Sequence, residues 1–230
     1  MQKPKSSAVS APKPEQPRKR KTDGRATILD AAERLFAERG FDGCTLRDVA
    51  EKAKVNQGMI HYFFKSKETL FREAYVRRGQ DIVEDRLRLL DAEEALTGQK
   101  AIAVERLVEL FLRPAIDLAK SGPGGRAFFR MQARLQLESS KFGDEMRKAL
   151  YDESSSRFVA AFARSLPGLR HEDVCWRFVF ILGTYQYVLA DTGRLEVISD
   201  GRCTSREFES AFQQMVRFLA DGMRGVPVAA

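Results

Sequence analysis

The sequence predicts an all-α protein: a three-helix, helix-turn-helix module near the N-terminus and a larger helical domain after it. Three observations lead there. From residue 26 onward, apolar residues recur three and four apart, the spacing of one helix face. Ser, Thr, Asn and Gly stand where those periodic runs begin and end, as helix caps do. Strand patterning is nearly absent; "LEVIS" at 195–199 is the single β-leaning stretch and reads as loop. At 230 residues and 43% hydrophobic, the chain is long enough to bury one or two ordinary cores.

The elements follow in order. Ile28, Ala32, Leu35 and Phe36 share a face of a first helix over about 26–39, and Gly40 follows as its C-cap. In "CTLRDVAEKAKV", Thr45 with Asp48 three residues on resembles a capping box, and Leu46, Val49, Ala50 and Ala53 give a short second helix one apolar side. Asn56 caps a third helix running to about Phe64. Ser66 caps a fourth, with Glu68 in its first turn and Leu70, Phe71, Ala74 and Tyr75 on its apolar side. Two short helices joined by a tight turn and braced on both sides form a helix-turn-helix over 25–71. Breaks near 91–98, 121–125, 165–170 and 191–204 then divide residues 72–225 into helices of roughly 67–90, 99–120, 125–139, 142–165, 171–190 and 205–223, the first shared with the motif.

The third helix resolves onto two faces. Ile60, Phe63 and Phe64 stand at i, i+3 and i+4 and should dock on Phe36, Leu46 and Val49. Gln57 and His61, four apart, lie on another side with Gly58 and Tyr62 beside them, and Met59 is grouped with this outward set. Amide, imidazole and phenol are groups that bond base edges or phosphates in a major groove, and Gly58 allows close backbone approach. Asn56, Thr45 and Lys67 add helix N-termini or a point charge for phosphates, and Arg47 reaches backbone or base. Other readings of His61 are weaker. A metal site needs acidic, Cys or His neighbours, yet Gln57 and Lys65 occupy i±4, and His171 is the only other histidine. A catalytic base needs a nucleophile and an orienting group, and the sequence places neither nearby. No catalytic residue, metal or cofactor is expected.

Charge and cysteine usage narrow the class. The net charge is +7, and residues 1–24 hold seven Lys and Arg against Glu15 and Asp23. With prolines at 4, 12, 14 and 17, this segment is expected to be a disordered basic tail, and its "RKRK" suits a polyanion or simple solubility. Cys44, Cys175 and Cys203 show no paired spacing, which fits a reduced, cytoplasmic protein. No apolar run reaches the roughly 18–20 residues of a membrane span.

The stretch "ILDAAERLFAERGFDGCTLRDVAEKAKVNQGMIHYFFKSKETLF" resembles the N-terminal domain of TetR-family transcriptional regulators over Arg25–Phe71. The carriers are A-x-x-L-F-x-x-x-G-[FY] from Ala32, T-x-[RD]-D-[VI]-A from Thr45 and F-x-S-K-E-x-L from Phe64. The resemblance implies an all-helical fold of about nine helices. It also implies a homodimer on a palindromic double-stranded DNA operator, and a repressor released when a small molecule enters the C-terminal domain. Two positions depart from the family pattern. Lys54 stands where Gly is common, so a left-handed backbone there is strained by about 1 kcal/mol. His61 stands where the first of two aromatic residues is common.

Residues 72–225 carry no catalytic constellation, and "GPGGR" at 122–126 lacks the strand and Lys-Ser pair of a phosphate loop. Large apolar residues could line a ligand pocket: Phe111, Phe128, Met131, Phe162, Trp176, Phe180 and Tyr185 are the candidates. Arg126, Arg130 and Arg134 form one stripe; either the stripe is solvated or salt-bridged, or Arg130 or Arg134 anchors a ligand carboxylate. A fainter resemblance to fatty-acid-sensing regulators favours an apolar, acidic effector. Val174, Phe178, Ile181, Leu182, Tyr185 and Leu189 on one helix, with Phe208, Phe212, Met215, Val216 and Leu219 on another, are expected to form the homodimer interface through 171–190 and 205–223. Ligand-independent DNA binding and a helical enzyme remain as rival readings.

Overall fold

The computed structural model describes residues 19–98, 100–137 and 141–226, and among them it contains ten α-helices and no strand. They are α1 (Lys19–Arg39), α2 (Leu46–Ala53), α3 (Gln57–Phe64), α4 (Lys67–Thr97), α5 (Val104–Lys120), α6 (Pro123–Leu137), α7 (Lys141–Ser165), α8 (His171–Leu189), α9 (Arg194–Ile198) and α10 (Phe208–Arg224). None among the described residues is long and apolar enough to cross a membrane.

The caps set the boundaries of the N-terminal helices. The Thr45 hydroxyl accepts from the Asp48 amide at 3.1 Å while the Asp48 carboxylate accepts from the Thr45 amide at 2.8 Å, closing a capping box. Asn56 Oδ1 accepts from the Gly58 amide at 2.8 Å, and Ser66 Oγ from the Thr69 amide at 3.1 Å. Lys54 ends α2 in the left-handed conformation at φ 55°, so this non-glycine residue carries the expected strain. Gly40 closes α1 at φ 74°, and its amide bonds the Phe36 carbonyl at 2.9 Å.

Several boundaries differ from expectation, α5 for one starting at Val104 rather than near 99. Helix α1 begins at Lys19, inside the stretch read as tail; residues 1–18 lie outside the described residues. Gly24 sits within this helix, and a Cβ there would meet the Met59 methyl at 2.9 Å, so the glycine admits α3 against α1. Helix α4 runs to Thr97 instead of stopping near 90. Its last turns are held by ion pairs from other helices: Arg157 and Arg164 of α7 reach Glu94, and Arg106 of α5 reaches Glu93 at 2.8 Å. "LEVIS" is not loop throughout, because 194–198 forms α9 and brings the helix count to ten. Glu196 there accepts from the Thr204 hydroxyl at 2.7 Å and the Ser205 amide at 3.1 Å.

One apolar core runs from Ile28 to Met223. Aromatic rings carry it across the boundary expected at residue 71. Phe36 meets Phe71 edge-on at 4.9 Å, Phe71 stacks on Tyr75 at 6.4 Å, and Tyr75 meets Phe128 at 5.4 Å. Polar locks reinforce the same junction. Glu33 of α1 is 1% exposed and is held by Arg77 (Nε at 3.1 Å) and Arg78 (Nε at 3.2 Å) of α4. Arg134 of α6 donates to the Ala37 and Glu38 carbonyls at 3.2 and 3.1 Å, capping the C-terminus of α1.

Candidate nucleic-acid interface

The two faces of α3 separate as their spacing dictates. Ile60 and Phe64 are fully buried, Phe63 is half-buried, and Phe36 and Val49 lie in the same core. Gln57, Gly58 and His61 are exposed, and Tyr62 is 67% exposed with its ring edge-on to Phe63 at 5.1 Å. Arg47 on α2 is exposed too and pairs with exposed Glu51 at 3.1 Å. These side chains form a solvent-facing strip on a small, fully packed base.

Other candidates are placed differently. Met59 is half-buried and packs on the core, so its body belongs to the inner face. The Asn56 Oδ1 and the Thr45 hydroxyl are spent on caps, which leaves their helix N-termini and the exposed Asn56 Nδ2 to meet an anion. Lys67 Nζ donates to the Phe41 carbonyl at 3.1 Å and lies 4.2 Å from that ring's centroid, so its charge is tied to the α1–α2 loop. Gly58 gains a local reason as well, since a Cβ there would press on the capping Asn56 Oδ1 at 3.2 Å. Lys52, Lys54 and Lys65 are exposed around both ends of α3 and were not among the expected contacts. Positive charge in the turns beside the motif was the available signal.

Asp48 is acidified first by the Thr45 hydroxyl and amide, with Arg39 at 3.3 Å adding to this. Cys44 is buried beneath the motif, and burial pushes its thiol up to about 11, so it is a core residue rather than a nucleophile.

In the C-terminal half the apolar candidates divide. Phe111, Phe128, Met131, Phe162 and Tyr185 are at most 2% exposed and sit in the core. Phe111 alone meets Phe158, Phe178 and Tyr185 at 5.0, 5.0 and 5.9 Å. Trp176 and Phe180 are instead 64% and 58% exposed, so the interior is not lined by them. They join exposed Val179 and Tyr187 on the outer face of α8, and Phe218 of α10 is exposed as well. The faces expected to dimerise are the inward ones. Val174, Phe178, Ile181, Tyr185 and Leu189, like Phe212, Met215, Val216 and Leu219, are buried within the subunit. Helix α8 is apolar on both sides, and the subunit core takes the first. Two members of the arginine stripe are engaged: Arg130 pairs with Asp191 at 3.4 Å and Arg134 caps α1, so neither is an unengaged carboxylate anchor.

Comparison with known proteins fits this geometry. Residues 28–74 match the model of bacterial regulatory proteins of the tetR family, and 109–222 match that of the tetracyclin repressor-like C-terminal domain. The chain is 40% identical over 76 residues to the HTH-type transcriptional repressor NicS of Pseudomonas putida, covering 31% of this chain and 36% of NicS. It is 36% identical over 47 residues to IcaR of Staphylococcus aureus, a negative regulator of a biofilm operon, covering 20% of this chain and 25% of IcaR. These alignments thus span well under two thirds of either relative. A fatty acid metabolism regulator of Clostridium perfringens superposes with a TM-score of 0.60 at 26% identity, over 85% of this chain and 97% of its own. PfmR of Thermus thermophilus superposes at 0.61 with 18% identity, over 89% of this chain and 98% of its own. With both halves matched and the fold shared over 85% of the chain, the protein belongs to the TetR family of transcriptional regulators.

Proposed function

We propose that this protein is a dimeric, ligand-responsive repressor acting in the cytoplasm, whose paired α3 helices read the two halves of a palindromic DNA operator. The observation that carries this reading is the outward strip of α3, Gln57, Gly58, His61 and Tyr62, set on the buried Ile60 and Phe64. Gln57, His61 and Tyr62 meet bases or phosphates in the major groove; Arg47, Lys52, Lys54 and Lys65 meet the flanking backbone, with the N-termini of α2 and α3. In a two-fold dimer the reading helices stand about 34–36 Å apart, one turn of DNA.

The dimer forms through the outer faces of α8 and α10. Trp176, Val179, Phe180 and Tyr187 form a stripe at helical spacing, α10 contributes the exposed Phe218, and Gly183 leaves open space within the stripe for a neighbouring helix. The effector is a small, apolar, acidic molecule received among the helices from α4 to α10. The similarity to a fatty acid metabolism regulator points the same way. It binds better to the DNA-incompetent arrangement, and a coupling of about 1–3 kcal/mol releases the operator.

Footprinting on DNA flanking the protein's own gene tests the reading. The Gln57→Ala, Tyr62→Ala double variant is expected to lose the protected site while remaining a folded dimer. A footprint that survives both substitutions sinks the assignment.

A further inference from the structure

Among the described residues, the interior of the C-terminal half holds a cation without a counter-ion. Arg86 of α4 is 1% exposed. Its Nε donates to the Phe111 carbonyl at 2.8 Å, and its guanidinium carbon lies 3.6 Å from the Phe111 ring centroid and 5.2 Å from that of Tyr185. Its Nη2 is buried with no hydrogen-bond partner, and among the described residues no carboxylate pairs with it. A fully desolvated guanidinium left in this state is costly, and ring faces return only part of the cost.

A polar string lies nearby. The Gln132 amide nitrogen donates to the Tyr151 hydroxyl at 3.0 Å, which meets the Tyr75 hydroxyl at 3.2 Å, while Gln132 Oε1 is buried and unpartnered. Burial keeps both phenols neutral, pushing Tyr75 up to about 12 and Tyr151 well above its usual value. Arg86 acts on Tyr151, whereas Arg147, the cation that acts on Tyr75, is already paired with Asp144 and bonded to the Leu135 carbonyl at 2.8 Å. One positive charge is therefore unmatched.

We propose that Arg86 is the anchor for the carboxylate of an apolar monoacid, received in a site formed by Arg86, Gln132, Tyr75 and Tyr151 among the Phe111 and Tyr185 rings. This inference rests on the ligand-responsive reading above and names the chemistry of the ligand. A carboxylate supplies the acceptor that Nη2 lacks, and turning the Gln132 amide over presents a second donor. A dianionic phosphate would bring one charge more than the site matches. Access is across the seam between α4 and α7, where Gly79 lets the Leu150 side chain and the Tyr151 hydroxyl press against the α4 backbone. Outside that seam lies a cleft of about 570 Å³ whose lining is mixed: Val76, Val83, Leu87, Met146 and Leu150 offer the acid's hydrocarbon part an apolar surface, while Arg72, Gln80 and three glutamates make the rest polar.

The test sets benzoate, octanoate, dodecanoate and hexadecanoate against the corresponding alcohols on the full chain, by calorimetry and thermal shift. At least one acid is expected to bind about tenfold or more tighter than its alcohol, the loss of a charge-assisted hydrogen bond. Arg86→Met should erase that preference, and Arg86→Lys should keep part of it. Without ligand, Arg86→Met should melt close to the parent, because removing an uncompensated buried charge offsets the loss of its bond to the Phe111 carbonyl. Equal affinity for acids and alcohols, a preference that survives Arg86→Met, binding by none of the acids, or a marked fall in the melting temperature of Arg86→Met would each overturn the proposal. Acids that bind through Arg86 yet leave the DNA footprint unchanged would keep the site and remove the ligand-responsive reading instead.

Discussion

Helices α3 and α8 pose the same problem, apolar residues on more than one side, and solve it differently. In α3 the second side carries Gln57 and His61, so polarity alone marks which face is wet. In α8 both sides are greasy: Phe178, Ile181 and Tyr185 point inward, while Trp176, Val179, Phe180 and Tyr187 remain exposed. Hydropathy reports that a face avoids water but not what covers it. A helix apolar all round has a core on one side and a partner or ligand on the other, and the pattern is symmetric between them.

The comparison can be broken most sharply at Phe180. Phe180→Glu places a charge on the outer stripe twice per symmetric dimer, so the dimer dissociation constant should rise about a thousandfold, at roughly 2 kcal/mol per copy. Sedimentation equilibrium reads this directly, and an unaltered dimer would mean that the α8 stripe serves another purpose. Ile60→Ala tests the inner face of α3 and should cost about 2–5 kcal/mol in urea unfolding, the usual loss for a fully buried aliphatic side chain. Thr45→Ala should cost about 1 kcal/mol by opening the α2 capping box. That deficit depends on pH. The Asp48 carboxyl is held below its ordinary value by Thr45, so the box contributes fully above the unfolded carboxyl range and fades as the pH falls through the depressed value. Parent and variant should therefore converge in acid and differ most at neutral pH. The smallest effect belongs to Gln57→Ala, whose stability should stay within about 0.5 kcal/mol of the parent while operator binding weakens. A large loss of stability there would erase the distinction between the faces of α3.

The N-terminal elements were legible because short-range chemistry sets them. Thr45, Asn56 and Ser66 each bond an amide two or three residues away, so their signals lie within the segment they terminate. The end of α4 was not legible, since Glu93 and Glu94 are held by Arg106, Arg157 and Arg164 from helices far along the chain. In "LEVIS", tertiary bonds from Thr204 and Ser205 to Glu196 accompany a helix against the β-leaning composition. Lys67 and Arg134 looked like anion binders by type and position. The carbonyls they engage, Phe41 for one and Ala37 and Glu38 for the other, become visible only once the chain is folded.

Glu33 bears on how such regulators can be recombined. Sequence similarity places the end of the reading module at residue 74, yet the buried Glu33 carboxylate is neutralised by Arg77 and Arg78, beyond that point. A chimera joined after Phe71 would strand an acid in the core unless the recipient helix supplied the same pair, at a cost of about 3–5 kcal/mol. Joined after Arg78, the transplanted module would carry its own neutralising charges, and the recipient would have to supply the Arg134 cap and the partners of Tyr75. The unit that can be exchanged between relatives is thus set by a salt bridge rather than by the motif.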